Sequence, residues 1–89
     1  MQYRATLIVT VYAADNEAGQ RCLSKESDLP FPPYPGLSIY SGMSMCVAIV
    51  EVCADGTFTT VTLADIRVLS DSTVDGIVNA LTSLGWSVQ

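Results

Sequence analysis

The sequence predicts one α+β domain, an antiparallel sheet with two helices packed on one face. Three observations point there. Apolar and other residues alternate from Tyr3 to Ala14, the period of a half-buried strand. A second alternating run, Ser44 to Ala54, meets Asp55-Gly56 and returns as Thr57 to Leu63, which reads as a hairpin. Near the C-terminus, Val74, Ile77, Val78, Leu81 and Leu84 recur at helical spacing.

The chain has 89 residues, 49% of them hydrophobic and 15% charged, with a net charge of −5. Mean hydropathy is +0.38. Domains usually run ~100–150 residues, so residues 1–89 are expected to form one. Disorder is excluded, because it needs low hydrophobicity and high charge.

Each element has a local cause. Along the first strand, Tyr3, Ala5, Leu7, Val9, Val11 and Ala13 form a continuously apolar face that should meet the core. The opposite face carries Ile8 and Tyr12. Asp15 then offers an N-cap and Glu17 a first-turn acid. Ala18, Cys22 and Leu23 fall on one helical face, which predicts a short helix from Asn16 to Lys25.

Residues 29–40 follow as a loop. Pro30, Pro32, Pro33 and Pro35 forbid a helix and remove ladder donors. The stretch should be extended and polyproline-like, ending in a Pro35-Gly36 turn. Leu37 to Tyr40 is extended.

In the strand Ser44–Ala54, Cys46, Ala48, Val50 and Val52 share one face, and Met45, Val47, Ile49, Glu51 and Cys53 the other. Beyond Thr57–Leu63 the chain stays extended from Ala64 to Leu69. Its apolar phase shifts, however, because Val61 and Leu63 share a parity that Ile66 and Val68 do not. A bulge or bend at Ala64-Asp65 accounts for the shift. Ser72-Thr73-Val74-Asp75 resembles a capping box at the start of the last helix. Gly85 sits at its C′ position, and Trp86 to Gln89 is long enough for a final strand.

The order is therefore β-α-β-β-α-β. This is the ferredoxin-like arrangement, with a Pro-rich insertion after the first helix. The segment from Asp75 to Trp86 resembles the final helix-turn-strand of many such domains, small regulatory ligand-binding ones included. The resemblance covers 12 of the 89 residues and implies fold alone.

That fold leaves one sheet face open. It is expected to carry Ile8, Tyr12, Met45, Val47 and Ile49, more apolar surface than a small monomer leaves wet. A chain this short buries only ~60–65% of the surface it could expose. The surplus predicts a homodimer through the sheet or a protein partner seated on it. Alternatively, the proline loop and Leu37–Tyr40 cover that face as a lid. The loop supplies further contact candidates, Phe31, Tyr34, Leu37 and Tyr40, because proline-aromatic segments lose little entropy on docking. The competing reading has Phe31 and Tyr34 plugging the domain's own core.

Several activities are disfavoured. With no histidine there is no Ser-His-Asp or Cys-His arrangement. Phosphate-binding glycine motifs are absent. Cys22, Cys46 and Cys53 form no CxxC pair, so no metal site is expected. They read as small buried hydrophobes in a reducing compartment. Asp71 and Asp75 read as helix-start acids. Glu51 interrupts an apolar strand and reads as an edge charge that blunts aggregation, or else as a buried partner for Arg4 or Arg67. Arg4, Arg21, Lys25 and Arg67 are too few and too scattered for nucleic acid. The longest apolar run, Met45–Val50, is six residues, against ~20 for a spanning helix. Neither a signal peptide nor a lipidation motif is evident, so a cytoplasmic protein is expected.

The leading expectation is a small non-enzymatic interaction protein without a cofactor, self-associating and protein-binding. It suits an accessory or inhibitory protein of the kind viruses and mobile elements encode. The alternative is a small-molecule-binding regulatory domain with its ligand at a dimer interface, near Ala14-Asp15-Asn16. A helix start there would offer N–H groups to an anion. A dimeric α+β-barrel enzyme ranks third.

Overall fold

The computed structural model describes residues 3–30, 32–40, 43–52 and 59–89. Its elements are β1 (Tyr3–Ala13), β2 (Asn16–Leu29), β3 (Ser38–Tyr40), β4 (Ser44–Val52), β5 (Thr59–Leu63), β6 (Ile66–Val68), α1 (Asp71–Ser83) and β7 (Ser87–Val88). They form one mixed sheet in the order β3-β4-β5-β1-β2-β7, with β6 pairing beside β1. This is a mostly β architecture with one helix among the described residues. The two-helix ferredoxin-like arrangement is overturned.

β1 is the centre of the sheet. It pairs antiparallel with β2 on one side and parallel with β5 and β6 on the other. Of its predicted inward row, Ala5, Leu7, Val9, Val11 and Ala13 are fully buried, and the side chain of Tyr3 lies outside the described residues. Apolar side chains at period two can all face one layer only from a strand, and β1 has ladder partners on both edges.

The correction falls on residues 16–29. They form the second arm of a hairpin, with Val9 opposite Leu23 and Thr10 opposite Cys22. No helix follows β1, and the proline segment is an insertion after a strand. Residues 16–29 contain no β-branched or aromatic residue, so local propensity favours a helix. Pairing along nearly the whole of β1 overrides that preference. Among the β2 residues whose burial is described, Leu23 and Leu29 are the buried apolar anchors, too sparse for a period of two to show.

This register is testable. Paired Cα atoms in an antiparallel ladder lie ~4.5–5.5 Å apart, within disulfide reach. Thr10→Cys, with Cys46→Ser and Cys53→Ser, should therefore oxidise to a 10–22 disulfide. Mass spectrometry would show the loss of two hydrogens, and closing so short a loop should add about 3 kcal/mol. Were residues 16–25 helical, Cys22 would not face position 10 and both thiols would stay free.

Two bulges place the remaining strands. Ile8 faces Thr62 and Val11 faces Ile66. The β5–β6 side thus holds one residue more than β1 between these pairs, at the Ala64-Asp65 break. That extra residue lets Val61 and Leu63 share the core with Ile66 and Val68, as their parity shift implied. In β4, Val47 faces Leu63 and Ile49 faces Thr62, so Ala48 is a bulge residue. Before it Met45 and Val47 point inward; after it Val50 does.

α1 closes the core. Val74 and Leu81 are buried, and Ile77 and Val78 pack half-buried beside them. The helix starts earlier than the predicted capping box, with Ser70 as N-cap. The Ser70 side chain makes no backbone cap bond and instead contacts Ser72 Oγ at 3.0 Å and Thr73 Oγ1 at 3.2 Å. The helix ends as predicted. Gly85 has φ 98°, its N–H donates to Thr82 O at 3.2 Å, and Trp86 N–H donates to Leu81 O at 3.1 Å. This bond pair is a Schellman C-cap, and the left-handed position favours glycine. β7 then adds to β2 opposite Leu23 and Ser24. β6 and β7 are parallel, which makes α1 the crossover of a β-α-β unit stepping over β1 and β2.

Candidate functional site

The distinctive surface is the β3–β4 edge with the proline segment leading into it. Leu29 is buried at the end of β2, and residues 32–34 then belong to no helix or strand. The predicted Pro35-Gly36 turn is present. Leu37 N–H donates to Tyr34 O at 3.1 Å, and Gly36 has φ 94°, the geometry of a type II turn. The chain then runs along β4. Gly36 N–H donates to Val47 O and Val47 N–H to Leu37 O, both at 2.8 Å. Ser38, Ile39 and Tyr40 pair with Cys46, Met45 and Ser44.

This covers β4 from Ser44 to Val47. No described residue pairs with the outer side of Ala48–Val52, in which Ile49, Val50 and Val52 are β-branched and Glu51 is the one charge. Ile49 is 53% exposed and Val52 64%. Tyr40 on β3 is 79% exposed and Tyr34 in the turn 56%. Four of the seven large hydrophobics exposed among the described residues therefore lie along this edge.

The structure distributes the predicted contact residues unevenly. Tyr34, Tyr40 and Ile49 are exposed together on the β3–β4 side. Leu37 is half-buried against the core. Met45 and Val47 are corrected outright, since both are core residues rather than open-face ones. Residues of both parities in 45–50 are apolar, so alternation could not tell which face meets α1. Ile8 and Tyr12 do lie on the face away from the buried row of β1 and are half-exposed. Their neighbours are hydroxylic or charged, however. Ile8 sits between Thr62 and Ser24, and Tyr12 beside Arg67. The apolar excess lies at the edge. Leu37–Tyr40 extends the sheet instead of covering a face, which overturns the lid. Tyr34 plugs no core; Phe31 lies outside the described residues.

Other expectations resolve as follows. Glu51 is exposed on edge strand β4, as an aggregation-blunting charge should be. Arg4 pairs instead with Glu26 at 2.7 Å. The hydrogen bond and charge of Glu26 raise the Arg4 pKa. Together with Ser27 and Asp28 they line a shallow open depression. Cys46 is exposed and Cys22 half-buried, both free, so neither is the buried hydrophobe expected. Cys46 faces outward because Met45 and Val47 take the inward parity of β4. Cys53 lies outside the described residues, as does the Asp55-Gly56 turn. The anion site at Ala14-Asp15-Asn16 loses its basis, because a strand and not a helix starts there. No group of three potential metal ligands occurs among the described residues. No helix is long and apolar enough to cross a membrane.

Val52 was missed as a surface residue, since its parity placed it with the predicted inward face. The available signal was Glu51: a carboxylate inside an apolar strand marks an edge. Comparison with family models, with curated proteins and with solved structures returns no match.

Proposed function

We propose that this chain is a small non-enzymatic protein-binding domain that associates with a second copy of itself through the bare edge of β4. The outer side of Ala48–Val52, with which no described residue pairs, carries this reading. An edge offers a row of backbone donors and acceptors that another strand can satisfy. The opposite edge is guarded. β7 pairs with Leu23 and Ser24, Gln89 N–H reaches Cys22 O at 2.8 Å, and Lys25, Glu26 and Asp28 follow. β4 has one charge in the same span.

An antiparallel pair centred on Val50 sets Ile49 against Glu51 of the second copy. The two carboxylates then avoid direct opposition, which like charges disfavour. Two chains of net charge −5 still repel at long range, and salt screens that repulsion. Dimerisation should therefore strengthen from low to moderate salt.

Light scattering after size exclusion tests this. The wild type should run as a dimer. Ile49→Lys combined with Val52→Lys should give a monomer with an unchanged fold, because both side chains are more than half exposed and edge lysines block strand addition. A wild type that stays monomeric at several hundred micromolar at moderate salt would refute the reading.

A further inference from the structure

We infer that the Pro32–Pro35 segment is a docking ligand for a second protein that reads polyproline II helix through an aromatic-lined groove with a basic rim. This deepens the protein-binding reading but does not depend on pairing through β4.

The segment is a PxxP unit, Pro32-Pro33-Tyr34-Pro35. Its conformation follows from its chemistry. Each proline locks its own φ near −65°. Pro32 and Tyr34 each precede a proline, which pushes them toward extended or polyproline values. At three residues per turn, Pro32 and Pro35 lie on one ridge, ~9 Å apart. Both are exposed, Pro33 between them is half-buried, and Tyr34 is exposed. The Pro33 ridge is thus turned toward the domain, while the Pro32/Pro35 ridge and the Tyr34 ring are presented outward.

Both ends are anchored. Leu29 is buried upstream, and the type II turn and the Gly36–Val47 bond hold the downstream end. A ligand already held in its bound shape loses little entropy on docking. Three of the four residues lack an N–H, so the segment cannot be taken up as an ordinary strand. A groove that packs proline rings and aromatics fits it instead.

Charge narrows the partner. Glu26 and Asp28 are exposed just upstream, and the nearby cation, Arg4, is engaged by Glu26. With the chain at −5, a groove rimmed by carboxylates is repelled and one rimmed by Lys or Arg is attracted.

The test titrates isolated SH3, WW and EVH1 domains, chosen with acidic and with basic rims, into the isotope-labelled full chain. At least one basic-rimmed domain should shift amide signals of residues 34, 36 and 37, binding more tightly at low salt. Pro32→Ala with Tyr34→Ala should weaken that binding by about tenfold or more, as loss of packed anchors does. The fold should persist, since both side chains are exposed. Light scattering on the same samples reports self-association independently, and the Ile49→Lys, Val52→Lys variant should bind the groove as the wild type does. Binding weaker than about 1 mM across the panel, binding indifferent to the double alanine change, or shifts confined to β4 would each overturn the proposal.

Discussion

Trp86→Ala should destabilise the domain by about 3–5 kcal/mol, the usual cost of removing a buried tryptophan. Trp86 is 3% exposed. It follows the helix-ending Gly85, and its N–H closes the cap on Leu81 O at 3.1 Å. Its ring joins the cluster that includes Leu81, the hydrophobic contact that accompanies this cap. Removing the ring opens a cavity where α1 turns into β7, and so loosens the strand that guards the outer edge of β2. A chain of this size has about 4–13 kcal/mol of total stability, so much of it would be lost. Urea unfolding followed by circular dichroism measures the change. Trp86→Phe keeps most of the buried area and should cost clearly less. A loss under about 1 kcal/mol for Trp86→Ala would mean that the ring is not packed as described.

Leu7→Ala should cost about 2–5 kcal/mol, while Ile8→Ala, one residue along the same strand, should cost about 1 kcal/mol or less. Leu7 is 1% exposed, on the central strand between Lys25 of β2 and Val61 of β5. Truncating it leaves a void beneath the helix layer. Ile8 points the other way, half-exposed between Ser24 and Thr62. The two positions share a strand and the same two neighbouring strands, β2 and β5, so the difference reports which face each occupies. Equal losses would show Ile8 covered in solution. Self-association would then run through the sheet face and not through the β4 edge.

The predicted elements that survived rest on short-range chemistry. The inward row of β1 is visible because alternation over so many residues has one solution. α1 is visible from its apolar period, and its end from a glycine where a left-handed residue is needed. The Pro35-Gly36 turn and the phase break at Ala64-Asp65 are likewise local. β2 was hidden because Asn16–Leu29 carries helix-compatible residues, and what makes it a strand is its neighbour. The contact candidates divided for the same reason. Tyr34 and Tyr40 are exposed because a proline-rich run and a three-residue edge strand keep side chains outside. Met45 and Val47 were misplaced because both faces of that strand are apolar.

Composition and local pattern were enough for strands at β1 and β4, the last helix with its glycine stop, and an extended proline segment. Strand order, the conversion of residues 16–29 into a hairpin arm, the bulge at Ala48 and the edge beyond it that no described residue covers arose from assembly. Ladder hydrogen bonds join backbone groups that every non-proline residue carries. Side-chain patterns therefore say little about which strands meet, and the pairing is selected by how much apolar surface the finished sheet and helix can bury together.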